Sequence, residues 1–134
     1  IGEPAMNFLQ GTVEGPNRVG LENQGNPVFW SVSESIPETH MNASVQVGIR
    51  PENVTASMEP VQNGIKATVD VVEYLGEERV LTLSVNGTMM KAVMPVAFRV
   101  KETETVWLTS APEAVHLFDE KTGAALIKIK DEGV

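Results

Sequence analysis

The chain has no cysteine. Disulfide bridges, thiolate metal sites and cysteine nucleophiles are excluded together. Aromatic residues are scarce, with four phenylalanines, two tryptophans and one tyrosine in 134 residues, so a core must be filled mainly by Val, Leu, Ile, Ala and Met. Positive charge is also short: ten Lys and Arg face eighteen Asp and Glu, for a net charge of −8. A surface that tracks phosphates works by releasing counterions through Lys and Arg, so nucleic acid is a poor partner for this composition. Long apolar runs are missing. The longest, Val93-Met94-Pro95-Val96-Ala97-Phe98 and Ala124-Ala125-Leu126-Ile127, fall far below the ~20 residues that span a bilayer. No basic segment followed by an apolar one opens the chain, so neither a signal peptide nor direct membrane insertion is expected. The sequons at Asn42, Asn53 and Asn86 then read as ordinary loop composition. The chain opens on Ile1 rather than Met, from which a longer parent with an upstream segment is expected.

What is present has a period of two. Apolar and polar residues alternate strictly through Ile65-Lys66-Ala67-Thr68-Val69-Asp70-Val71, the pattern of a half-buried strand. Parity breaks at Val71-Val72, which predicts a bulge or a sharp bend there. Val80 to Val85 alternates again and runs into Asn86-Gly87, the pair best suited to a type I′ hairpin turn, with Thr88 to Met94 as the returning strand. Further strands are expected over Asn7 to Val13, Arg18 to Leu21, Val28 to Val32, Val45 to Arg50, Val106 to Ser110 and Leu126 to Lys130. Gly15-Pro16-Asn17, Asn23 to Pro27, Asn63-Gly64 and Lys121-Thr122-Gly123 separate them as turns. Pro51-Glu52-Asn53-Val54 and Pro112-Glu113-Ala114-Val115 read as single helical turns, with Pro at the first position and Glu near the positive end of the dipole. These two units also form a faint repeat, each following a strand. Two small barrels built alike, with strands exchanged between them, would produce it. Many short strands with turns every 8–12 residues predict an all-β barrel or sandwich.

Catalytic patterns are thin. Lys121-Thr122 lacks the glycines of a phosphate loop, and no Gly-x-Gly-x-x-Gly occurs. The two histidines, His40 and His116, do not come with a serine-type triad or with three or four convergent metal ligands. Glu77-Glu78 could act as an acid/base pair, but adjacent residues in a turn rarely converge on one substrate, and a solvated turn is the simpler reading. Met89-Met90 and Met94 could line an adaptable face. Phe29-Trp30 and Trp107 could stack a ring. Core filling is the simpler reading for all of them.

Four segments in order resemble one family. Pro4-Ala5-Met6-Asn7-Phe8-Leu9 resembles the exit from the ATPase domain of sugar-type ABC importers. Gly48-Ile49-Arg50-Pro51-Glu52 is similar to the Gly-Ile-Arg-Pro-Glu signature of their C-terminal regulatory region, and Val72-Glu73-Tyr74-Leu75-Gly76-Glu77-Glu78 to its Val-Glu-x-Leu-Gly-x-Glu element. His116-Leu117-Phe118-Asp119 with Thr122-Gly123 matches its His-Leu-Phe-Asp close. Order and spacing agree over nearly the whole chain, with departures at Glu34 to Asn42 and Val96 to Glu104.

The resemblance implies a TOBE-type regulatory domain of a maltose-importer-like ATP-binding subunit, covering residues 1–134. The expected fold is all-β: tandem OB-like small β-barrels with short helical turns, as two interleaved subdomains. It implies no catalysis and no cofactor or metal in this segment, since ATP and Mg belong to the upstream ATPase domain. The implied partners are a second copy of the same subunit, the membrane-spanning importer subunits reached through the ATPase domain, and a regulatory protein. The implied location is cytoplasmic, peripheral to the inner membrane. Motif and candidate interface residues are Gly48, Arg50, Pro51, Glu52, Glu73, Leu75, Gly76, Glu77, His116, Leu117, Phe118 and Asp119. Leu117 or Phe118 should face outward as part of the dimer patch. The alternative is a small-ligand or oxyanion-sensing barrel, as in molybdate-type importers.

Overall fold

A computed structural model describes residues 5–127. Ten strands carry the fold: β1 (Asn7–Gly15), β2 (Arg18–Leu21), β3 (Val28–Ser31), β4 (Ser44–Ile49), β5 (Thr55–Ser57), β6 (Ile65–Leu75), β7 (Glu78–Val85), β8 (Thr88–Pro95), β9 (Thr105–Thr109) and β10 (His116–Asp119). The described helix is confined to 3-10 turns at Glu38–His40, Pro51–Asn53 and Pro112–Ala114. The strands make two antiparallel five-stranded sheets, ordered β10-β4-β1-β2-β3 and β5-β9-β6-β7-β8. The protein is all-β, two OB-like barrels in tandem. Among the described residues no helix is long and apolar enough to cross a membrane.

The two proline turns are where the chain changes sheet. β4 ends the first sheet's own run, and the Pro51 turn carries the chain to β5, which pairs with β9 in the second sheet. β9 then leads through the Pro112 turn to β10, which pairs with β4 in the first. The faint sequence repeat therefore marks two equivalent crossovers. Arg50 and Ala111, each before its proline, are held extended at ψ 144 and 143, as the steric demand of the following ring requires.

The equivalence extends to single hydrogen bonds. The Val13 amide donates to Ala43 O and its carbonyl accepts from the Asn42 amide; Val69 does the same with Glu104 O and the Thr103 amide. Asn42 and Thr103 both have positive φ, 65° and 75°. Each valine is followed by a register shift, between Val13 and Gly15 and between Val69 and Val71. The bulge expected at Val71-Val72 thus lies one step earlier. Asp70 and Val71 are both exposed, and the apolar character of Val71 disguises it as an inward residue.

An asparagine ties each half to the other. The Asn7 side chain, buried at the head of β1, donates to Lys91 O (2.8 Å) and Ile49 O (3.1 Å) and accepts from the Lys91 amide (2.7 Å). Before β6, the Asn63 side-chain oxygen accepts from the Phe29 amide (3.1 Å), and its carbonyl accepts from the Trp30 indole N–H (3.0 Å). One continuous core includes Trp30, Val47, Ile49, Leu81, Leu83, Met90, Leu108 and Leu117. Met90, Met94 and Trp30 are core as expected, whereas Met89 is exposed and Phe29 and Trp107 are only half-buried.

The hairpin at Asn86-Gly87 forms with both residues at positive φ, 49° and 79°. Two strands escaped the sequence reading. β5 has three small residues, and β10 was read only as a motif. The strand expected over Leu126 to Lys130 runs into residues outside the described range; within it, the Leu126 amide donates to Leu117 O, and Ala125 bridges to Phe118.

Candidate functional site

The outer face of the first sheet gathers the candidate residues that lie near one another. β4 runs between β1 and β10, so Phe8, Gly48 and His116 form one cross-strand row, and Phe118 pairs with Gln46 in the next. The Phe8 and Phe118 rings meet edge-to-face over Gly48, centroids 5.8 Å apart and planes at 66°, the arrangement the ring quadrupoles favour. The His116 ring stacks parallel to Phe118, 6.2 Å between centroids. Gly48 is the residue that permits this. A Cβ there would lie 2.6 Å from Met6 Sδ, 3.0 Å from Phe118 and 3.4 Å from Phe8. Phe8 remains 47% exposed, so an aromatic surface stays in water.

Beside the rings lies a hollow of about 430 Å³ lined by Phe8, Gln46, Phe118, Asp119, Glu120 and Gly123. Its rim is acidic. Asp119 accepts from the Thr122 and Lys121 amides (2.9 and 2.8 Å), which hold its carboxyl below the ordinary value. Glu120 accepts from the Gln10 side chain (2.6 Å). Leu117 points the other way, 1% exposed, into the core; of the His-Leu-Phe-Asp close, Phe118 is the half-exposed apolar residue.

The remaining candidates sit elsewhere. Pro51 is buried at the start of its 3-10 turn, Arg50 precedes it half-buried, and Glu52 is exposed. Glu73, Leu75, Gly76 and Glu77 occupy the tip of the β6–β7 hairpin in the second sheet, all exposed. Leu75 pairs with Glu78 around the two-residue turn Gly76-Glu77, and Gly76 takes φ 62°, so the glycine of that motif serves the turn. Phe8 lies inside the Pro4 to Leu9 motif and was not among the candidate interface residues. Its signal was present: Asn7 and Leu9 are inward, so Phe8 is an apolar residue on the outward parity of β1. Among the described residues, no three His, Asp or Glu side chains are placed to hold a metal ion.

Two family models match the chain, a TOBE domain over residues 47–118 and a MalK OB fold domain over residues 2–54. The chain belongs to the TOBE domain family. It is 31% identical over 132 residues to the trehalose/maltose import ATP-binding protein MalK of Thermococcus litoralis, covering 94% of this chain and 36% of that protein. An ABC transporter ATP-binding protein of Sinorhizobium fredii is 36% identical over 134 residues, covering 94% of this chain and 32% of that protein. The chain therefore spans about a third of the length of these relatives. The cytoplasmic molybdate-binding protein ModG shares the fold, with a TM-score of 0.59 over 87% of this chain and 98% of that one, at 14% identity.

Proposed function

We propose that residues 1–134 are the C-terminal regulatory and dimerisation domain of the ATP-binding subunit of an ABC importer for sugars or related solutes, built as two interleaved OB-like subdomains. The subunit works in the cytoplasm, held at the inner membrane through its partners. The domain performs no chemistry; it holds two subunits together while their ATPase portions open and close, and it receives regulatory proteins. A standing contact of this kind raises the effective concentration of the moving parts without adding contacts between them. The observation that supports the reading is the exposed Phe8–Phe118 pair above Gly48, an aromatic surface on a rigid sheet, of the sort enriched at the centres of interfaces.

Sedimentation beside a denaturant melt tests it. The chain is expected to dimerise. Truncating a buried aromatic anchor typically costs 2 kcal/mol or more, so Phe118→Ala is expected to weaken dimerisation roughly thirtyfold while leaving the fold intact. A chain that stays monomeric at millimolar concentration, or a folded Phe118→Ala variant that dimerises like the parent, overturns the assignment. ATP-dependent phosphate release above a buffer blank would defeat the non-catalytic part. An oxyanion sensor, the alternative suggested by the fold shared with ModG, needs N–H and cationic donors. The hollow at Phe118 offers Asp119 and Glu120 instead, and calorimetry with molybdate is expected to show no binding.

A further inference from the structure

We propose that the tip of the β6–β7 hairpin is a docking finger for the part of the ATP-binding subunit that lies outside these 134 residues. It would enter an apolar hollow there that is edged by lysine or arginine. The proposal rests on the function proposed above. It starts from a break in the internal repeat. In the first sheet the β1–β2 hairpin closes directly after its register shift, with Gly15 paired to Arg18. In the second sheet β6 and β7 continue past the equivalent pair, Val71↔Thr82, through four further pairs, from Val72↔Leu81 to Leu75↔Glu78. The added segment ends in Tyr74 and Leu75, 65% and 61% exposed.

The finger is stiff. Its turn has two residues, and the Arg79 guanidinium lies 5.0 Å from the Tyr74 ring centroid while donating to Phe98 O at 2.9 Å. A pre-ordered apolar tip loses little freedom on docking. Its charge selects the partner. Glu73 and Glu78 share the Leu75 face and Glu77 lies in the turn, whereas Arg79 and Lys101 lie beside Tyr74 on the other face, so the acidic surround belongs to Leu75. The complementary surface is therefore apolar at the centre and basic at the rim. A second copy fits poorly, because the aromatic hollow of the first sheet is walled by Asp119 and Glu120. Anionic lipid headgroups repel the tip for the same reason.

Size points to a tethered partner. Stable complexes between free proteins bury roughly 800 Å² on each side, and two side chains on a narrow turn offer only a fraction of that. Such a contact forms when the partner is already held nearby, as another portion of the same subunit is.

The test uses the full-length subunit assembled with its membrane subunits, carrying the photo-crosslinker p-benzoylphenylalanine in place of Leu75. Irradiation and peptide mapping are expected to place the adduct in the upstream portion, beside lysine or arginine. Glu77→Lys with Glu78→Lys is expected to cut its yield at least fivefold. The same crosslinker in place of Met89, exposed at the opposite end of the sheet, is expected to give no adduct with that portion. Adducts confined to either copy of residues 1–134, to the membrane subunits or to lipid overturn the proposal, as does the absence of any adduct or a yield insensitive to charge reversal. A parent whose upstream portion has no nucleotide-binding domain defeats the proposed function itself; a nucleotide-binding domain that the finger never touches defeats only the finger.

Discussion

The first and second sheets follow one plan, and their exposed surfaces part company in two places. On the outer face of the first, Phe8 and Phe118 meet over Gly48; in the second, Ser57 on β5 faces Trp107 on β9 where Phe118 faces Gln46, and among the described residues no exposed aromatic pair forms there. The second sheet instead carries the long hairpin that the first lacks. Shared features, namely the proline crossovers, the valine clamps and the bulges, serve folding. Unshared ones leave large apolar side chains, Phe8, Tyr74 and Leu75, in solvent. In a repeated architecture, the departures from symmetry are where function is to be sought.

Four measurements sharpen or break that comparison. The exchanged strands differ in what they bury: β10 brings Leu117 to the core, and β5 brings only half-buried Ala56. Leu117→Ala is expected to lower unfolding free energy by about 2–5 kcal/mol, and a denaturant melt that shows less than about 1 kcal/mol would mean β10 is dispensable. The asparagine ties come next. Asn7→Ala leaves the Lys91 amide and carbonyl without their partner in a part-buried site and is expected to cost about 1–3 kcal/mol. Asn63 is exposed, water can replace it, and Asn63→Ala should cost about 1 kcal/mol or less; equal losses would void the distinction. Gly87→Val puts a β-branched residue at φ 79° and should cost about 1 kcal/mol or more in the same melts, a neutral result meaning that the turn is centred elsewhere.

The smallest effect is one of pH. The amides of Thr122 and Lys121 hold the Asp119 carboxyl below its ordinary 3.8. A folded value below the unfolded one means that this contribution is complete above the ordinary value and disappears as pH falls through the lowered one. Asp119→Asn is therefore expected to flatten the acid limb of a stability–pH curve slightly, and an unchanged limb would remove Asp119 from it.

Local chemistry made much of this legible from sequence. Asn86-Gly87 announces its turn because few residues tolerate positive φ twice, and β6 announces itself by alternation. The strand exchange was visible only as two Pro-Glu units, since the pairing of β10 with β4 joins residues distant in sequence. The aromatic site was half legible. Phe118 was named from a motif, but its meeting with Phe8 depends on β4 lying between two strands from opposite ends of the chain. The bulge was misplaced by one residue because Val71 is apolar and yet exposed.

The exchanged strands also set a timetable for synthesis. β4 leaves the ribosome ahead of its neighbour β10, which follows roughly 70 residues later, about 4–14 s at ordinary translation speeds. During that interval the β4 edge is a row of unpaired amides and carbonyls flanked by Val45 and Val47, a template open to any suitable strand. On a crowded polysome, the β10 of a neighbouring nascent chain is chemically identical to the one awaited. Two chains that trade it would leave the ribosome as a domain-swapped pair, joined before any surface contact between finished subunits could form.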